Sequence, residues 1–330
     1  MKIMKQNAEL LDTTGMTQYQ IIERVGRTCY KSEDKIAEGS AERFVKTLYK
    51  SKHHAMLEFG FIYVEIVSID LHEFIMQSIP NTSYLHLADN FISGSFRAWY
   101  DYIQYLIQMT EMIPGVYEDY APEILDLVEA FSVKYPEIFK DIYEKFRIVM
   151  DDEDYDYDAE ECDPDEIKYP FRIREREDFI QAMKSHDYPN IMYSAVIPHI
   201  VKFTTNRGIA NELVRHRLCS FAQESTRYCN YANDKFGNEI TLIEPMLEPN
   251  SEVYQAWVAA MNASEAIYNA LIKNDVKAQI ARGVLPLDLK TDIWIACTED
   301  EWQHILDLRL HGTTGSPHPQ IKELMDLVYN

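Results

Sequence analysis

Arginine, histidine and hydroxyl side chains crowd one stretch of this 330-residue chain: Arg215-His216-Arg217, seven further residues, then Ser225-Thr226-Arg227-Tyr228. Guanidinium forks, an imidazole and small hydroxyl donors are the groups that bind phosphates and nucleobase edges. Between His199 and Lys235 the cations Lys202, Arg207, Arg215, Arg217, Arg227 and Lys235 face only Glu212, Glu224 and Asp234, a local balance of +3. Elsewhere the chain is acidic, with Lys+Arg 32 against Asp+Glu 54 and a net charge of −22. That field argues against nucleic acid or an anionic membrane as a partner, because phosphate neutralisation needs clustered cations. Basic residues at a helix C-terminus also serve its dipole and its last carbonyls. On a continuing helix, however, Arg215 and Arg217 would lie about 200° apart and face different partners. Three arginines, a histidine and several hydroxyls exceed what capping needs, so the stretch reads as a site for an anion-rich ligand.

The elements that must position these residues follow from periodicity. Gln18 to Val25 and Ala41 to Tyr49 carry apolar residues at helical spacing, and Phe59 to Ile66 reads as a strand buried on both faces. Phe96, Trp99, Tyr100, Ile103 and Ile107 mark an amphipathic helix, and Pro122 and Pro136 stand where first-turn prolines of two further helices belong. A run from Asp151 to Glu166 then holds eleven acidic residues and no basic one. A strand is expected over Ala195 to Thr204, a helix from Asn206 to about Arg217, and a strand over Glu239 to Glu244. Helices are expected at Val253 to Ile272, Asp300 to Leu308 and Pro319 to Val328. Strands and helices do not alternate as βαβ units, so the class is α+β.

With 46% hydrophobic residues the chain can bury a full-sized core. Five cysteines form no CxxC pair, which argues against a zinc site or a disulfide framework. The first fifteen residues lack the apolar core of a signal peptide, and no apolar run approaches the ~20 residues of a membrane span. A soluble cytoplasmic protein is expected.

The segment RHRLCSFAQESTRY resembles the signature of the flavin-dependent thymidylate synthases. GRTCY (26–30), HHAMLEF (53–59), RGIANELVRHR (207–217), ARGVLPLDLKT (281–291) and EWQHILDLR (301–309) are similar to family segments in the same order. The resemblance divides the chain into a catalytic core over residues 1–68 and 191–330, with a peripheral helical insertion over 69–190 that ends in the acidic loop 151–166. The implied fold is a mixed, largely antiparallel sheet packed with long helices, assembled as a homotetramer. The implied reaction converts dUMP to dTMP, with methylenetetrahydrofolate as carbon donor, FAD as hydride carrier and NADPH as reductant.

By motif position, the resemblance implies that Arg215, His216, Arg217, Gln223 and His304 contact FAD. It places Glu212, Arg215, Gln223, Glu224, Ser225, Thr226, Arg227, Arg282 and Arg309 at the dUMP site, with Arg309 against the uracil ring as the catalytic cation. A cation there stabilises negative charge on the ring and activates its C5 carbon without an enzyme thiolate. Phe59, Ala55 and Thr298 depart from the family pattern, which usually has a histidine, a hydroxyl residue and an asparagine there.

The same residues admit other readings. Ser225 lies in no GxSxG elbow, which weighs against a nucleophile. Cys219 or Cys229 could supply the attacking thiolate of a classical thymidylate synthase, but their surroundings do not resemble that family. His304, His311 and His318 recur every seven residues, yet Gly312, Gly315 and Pro317 break the helix a metal site would need, so no metal is expected. A non-enzymatic nucleotide-binding protein and a flavin enzyme adding a hydroxymethyl group remain as alternatives.

Overall fold

The computed structural model describes residues 1–79, 84–113, 121–150, 170–186, 190–232 and 237–329. The acidic run 151–166, with Cys162, and the charges Asp234 and Lys235 lie outside the described residues.

The first half of the chain forms β1 (Lys2–Met4), β2 (Asn7–Leu10), α1 (Gln18–Cys29), α2 (Ser40–Lys50), β3 (Phe61–Ile66), α3 (Ile69–Ser78), β4 (Leu85–Ala88), β5 (Phe91–Ser95), α4 (Phe96–Met112), α5 (Ala121–Lys134) and α6 (Pro136–Met150). Then follow β6 (Phe171–Arg174), α7 (Arg176–Ser185), α8 (Asn190–Val196), β7 (Pro198–Asn206), α9 (Arg207–Leu213), β8 (Ser220–Gln223) and β9 (Thr241–Ile243). The chain closes with α10 (Glu252–Lys273), α11 (Ala278–Ala281), β10 (Lys290–Thr298), α12 (Glu299–Arg309) and α13 (Pro319–Tyr329). Helices and antiparallel sheets combine without βαβ alternation, so the class is α+β.

Two compact units divide the chain. One gathers Met1–Met16, Glu23–Ile36 and everything from Pro198 onward; the other holds Thr17–Ile22 and Ala37–Ile197.

The first unit is built on a four-stranded antiparallel sheet in the order β2-β7-β10-β8. Central β10 buries Ile293, Trp294, Ile295, Ala296 and Cys297 in unbroken succession, because both of its faces are covered. Leu213 of α9, Ile305 and Leu306 of α12, and Ile321, Leu324 and Met325 of α13 pack with Ile293 and Ile295 into one core. Asn206 caps α9 by accepting a hydrogen bond from the Ile209 amide at 2.8 Å, and Glu299, Asp300 and Glu301 fill the first turn of α12, where negative charge suits the helix dipole. A short parallel pair, β1 with β9, stands beside a second core around Tyr268 of α10.

In this unit three elements differ from the periodic reading. The strand expected from Ala195 begins at Pro198, because the Ile197 amide still donates to Tyr193 at 3.0 Å and closes α8. The helix expected to reach Arg217 ends at Leu213. Tight turns follow, with Arg215 donating to Glu212 and His216 to Leu213, both at 3.2 Å, and they deliver the chain to β8 by Ser220. The strand expected over 239–244 contracts to Thr241–Ile243.

The second unit holds another four-stranded antiparallel sheet, β4-β5-β3-β6. All six residues of β3 are buried, but the strand expected from Phe59 begins at Phe61, because His54–Phe59 forms a 3-10 helix; its partners β5 and β6 come from the far side of residue 68. Against this sheet, α4, α5 and α6 assemble an aromatic core in which Phe131 meets Trp99 at 5.0 Å and Phe139 at 5.4 Å. Glu65 is buried on β3 and its charge is met by Arg172 at 3.1 Å and by Arg174, both on β6.

Candidate functional site

The tight turns after α9 carry Arg215-His216-Arg217 to the start of β8, where one side of α12, from Glu301 to Arg309, meets them. Arg215, His216, Arg217, Leu218, Glu301, His304, Leu308 and Arg309 line a cavity of about 280 Å³. Arg309 is held from two sides: its Nε donates to His216 Nε2 and its Nη1 to Glu212 Oε2, both at 3.2 Å. The rings of His216 and His304 meet edge to face with centroids 6.2 Å apart. Burial, with the Arg309 cation and His304 adding to it, lowers the His216 pKa to about 4. His216 is therefore neutral near pH 7 and accepts from Arg309 rather than repelling it.

The cavity also brings Glu301 to the two histidines, with ligand atoms of His216, Glu301 and His304 within 4.8 Å of one another. This is not the His304, His311 and His318 series weighed from sequence. Three guanidiniums line the same cavity and Arg309 engages one nitrogen of His216, so the local field suits an anion better than a cation.

At the other end of β8 the chain turns sharply. Glu224 donates its amide to the Asp292 carbonyl at 2.8 Å, Ser225 to Cys29 at 3.0 Å, and the Cys229 amide returns to Ser225 at 2.9 Å. Arg207 Nη2 donates to the Glu224 carbonyl at 2.7 Å. On this turn Arg282 donates to Thr226 Oγ1 at 3.3 Å, the Arg227 amide donates to Ser225 Oγ at 3.3 Å, and the Arg227 guanidinium lies over the Tyr228 ring at 5.5 Å. Gln223 donates to Thr291 Oγ1 at 3.3 Å.

Beneath the turn lies a buried group of four charges. Glu224, 2% exposed, accepts from Tyr231 at 2.9 Å and pairs with Lys290 at 3.1 Å and Lys31 at 3.4 Å. Asp292 pairs with both lysines and accepts from Thr204 at 2.7 Å. Burial works against the Asp292 carboxylate, but the two ammonium groups outweigh it and hold its pKa well below the usual range. Burial likewise opposes the Lys31 charge and is outweighed by Glu224 and Asp292, which raise its pKa.

Lys31 sits in an uncommon backbone position. Ser32 donates to Arg27 at 3.0 Å and Lys31 to Thr28 at 3.2 Å, the paired bonds that close a helix through a left-handed residue, and Lys31 has φ 48°. Glycine is usual there, and a residue with a Cβ costs about 1 kcal/mol more.

The structure thus separates the predicted residues into two groups. Arg215, His216, Arg217, His304 and Arg309 share the cavity, with Glu212 outside its lining but bonded to Arg309, while Gln223, Glu224, Ser225, Thr226, Arg227 and Arg282 gather at the opposite end of β8. Glu224, expected to touch substrate, turns its carboxylate inward. Sequence reasoning passed over Lys31, Asp292, Lys290 and Glu301, although Lys31 directly follows GRTCY and Lys290 lies within ARGVLPLDLKT. Cys229 is buried, and burial pushes its thiol up to about 12, far from a ready thiolate.

Fold and site together define an α+β protein with an antiparallel sheet, beside which arginines and a neutral histidine line a cavity suited to an anionic ligand. Residues 133–330 match the family described as thymidylate synthase complementing protein, and the chain belongs to it. The match begins inside the stretch expected as an insertion and leaves out GRTCY and HHAMLEF. A flavin-dependent thymidylate synthase of Thermococcus onnurineus is 29% identical over 124 residues, 38% of this chain and 50% of the relative. One from Geobacter sulfurreducens is 33% identical over 104 residues, 32% of this chain and 44% of the relative. The chain spans about half the length of these relatives. Among solved structures, a UMP/dUMP methylase PolB from Streptomyces cacaoi bound with 5-Br dUMP aligns over 99% of this chain and 90% of its own, at 12% identity and a TM-score of 0.38.

Proposed function

We propose that the protein is a flavin-dependent thymidylate synthase of the cytoplasm that methylates dUMP to dTMP, using methylenetetrahydrofolate as carbon donor and NADPH as reductant. The observation that carries this reading is Arg309, braced by neutral His216 and by Glu212 inside an arginine-lined cavity in the family-matched part of the chain.

The donor set fits FAD. Arg215 and Arg217 suit its phosphates, and the edges of His216 and His304 suit a flat ring system. When bound, the flavin supplies the hydride chemistry. Arg309, bonded to two acceptors, would hold its positive charge against the uracil ring, where negative charge gathers in the reaction. Ser225, Thr226, Arg227 and Arg282 offer hydroxyls and guanidiniums to the nucleotide phosphate.

The two groups of residues stand at opposite ends of β8, and a cavity of about 280 Å³ lies at the small end of ligand pockets. Both features agree with a complete site assembled from more than one copy. Helix α10 supports self-association as a homotetramer: Val253, Ala256, Ala260, Ala263, Ile267 and Ala270 alternate at three- and four-residue spacing and are all exposed. That is the spacing of a helix seam that packs against another helix.

The test is the visible spectrum of the purified protein, followed anaerobically after NADPH is added, with and without dUMP. A flavin band that bleaches at a rate responsive to dUMP is expected, with a product mass equal to dTMP. A protein that binds no flavin after reconstitution overturns the reading, and a hydroxymethyl product corrects the group transferred.

A further inference from the structure

Lys31, Lys290, Glu224 and Asp292 converge beneath the turn that carries Ser225, Thr226 and Arg227, and they come from three separate places in the chain. Two formal positive and two formal negative charges cancel there in a largely water-free setting. The backbone bonds of the turn run through the same residues, since Glu224 donates its amide to the Asp292 carbonyl and Ser225 donates to Cys29, two residues before Lys31. Lys31 takes a left-handed conformation that glycine would adopt more readily. What the lysine supplies and glycine cannot is its ammonium, which reaches both carboxylates.

We propose that Lys31 and Lys290 are positioning residues for nucleotide binding: by neutralising Glu224 and Asp292 they fix the 224–227 turn in the conformation that presents Ser225, Thr226 and Arg227 to the nucleotide phosphate. This rests on the reading of that turn as the dUMP site. Glu224 then acts through its neighbours and touches no substrate.

The groups facing the four charges are few. Tyr231 and Thr204 donate to the carboxylates, Arg207 donates to the Glu224 carbonyl, and the Cys29 and Cys229 thiols have their pKa values pushed up to about 12 by burial. Loss of one lysine leaves two buried carboxylates to a single ammonium. The surplus carboxylate is relieved by protonation, so nucleotide binding in the variant acquires a pH dependence.

The experiment titrates dUMP into wild-type protein, Lys31→Gly, Lys31→Arg and the double variant Lys31→Gly/Asp292→Asn between pH 6 and 8, alongside thermal melting. Lys31→Gly suits the backbone better and removes the ammonium together with its methylene stem, whereas Lys31→Arg keeps both a stem and a charge. Its dUMP Kd is expected to rise about tenfold or more at pH 8 and to recover toward pH 6, and its melting temperature is expected to fall at pH 8 and to recover in the same direction, as an uncompensated buried carboxylate requires. Lys31→Arg and the double variant, which restore charge balance, are expected to bind within about threefold of wild type. A Lys31→Gly protein that binds dUMP as wild type does, at every pH, overturns the proposal. A double variant as weak as Lys31→Gly overturns it too, since charge balance would then be irrelevant. Should Lys31→Gly not fold, Lys290→Met is titrated in its place with the same two outcomes. Wild-type protein that binds no dUMP would instead sink the reading of the site itself.

Discussion

Both sheets bury carboxylate next to their centre, and they neutralise it in different ways. In the second unit Glu65 is answered by Arg172, directly opposite it on the adjacent strand β6, and by Arg174 two residues further along that strand. Those arginines remain in touch with water, with side chains 44% and 25% exposed. In the first unit Glu224 and Asp292 are answered by Lys31 and Lys290, whose side chains are 21% and 15% exposed and which arrive from a helix end and from β10. A cross-strand pair of the Glu65 type stabilises a register and little else. A lattice that ties together a helix end, a turn and a strand fixes the relation among segments, which is what a binding site needs.

The strongest way to break this contrast is Asp292→Leu. It leaves two largely buried ammonium groups facing one carboxylate, and a loss of about 3–5 kcal/mol in urea unfolding is expected, together with weakened dUMP binding. Glu65→Leu should cost less, about 1–2 kcal/mol, because Arg172 and Arg174 can turn their guanidiniums into solvent. Nucleotide affinity of that variant should match wild type. Equal stability losses in the two variants would erase the distinction, as would a dUMP defect in the Glu65 variant.

The smallest effect concerns His216, where burial is reinforced by the Arg309 cation and by His304. Its folded pKa of about 4 lies below the ordinary histidine value of roughly 6.5. Between those values the unfolded chain takes up a proton that the folded protein refuses, so stability should fall as pH drops through that window and be unaffected above it. His216→Gln should flatten the dependence, measured by melting temperature from pH 7 to pH 4. An unchanged slope in that variant would assign the titration elsewhere.

The long helices were legible because their apolar faces repeat: α4, α10, α12 and α13 lie within a residue or a few of where periodicity puts them. Strand β10 was not, since Ile293 to Cys297 is one apolar run without alternation, the mark of a strand covered on both faces. Short edge strands such as β1 and β2 carry too few residues for any period to show. At the site, motif order located Arg215, His216, Arg217, His304 and Arg309, which the fold brings to one cavity. Lys31 and Asp292 escaped notice because their role depends on being buried together, and nothing in spacing across 261 positions reveals that.

The uncharged seam along α10 has a consequence for how the protein behaves in a test tube. If copies meet through that seam and share a site, the active species is a product of mass action. Specific activity then rises with protein concentration and falls on dilution, with a lag as assemblies re-form. Assays run at nanomolar enzyme would report the fraction assembled as much as the chemistry, and a charged residue at Ala263 would shift that curve to higher concentration without touching a single residue of the site.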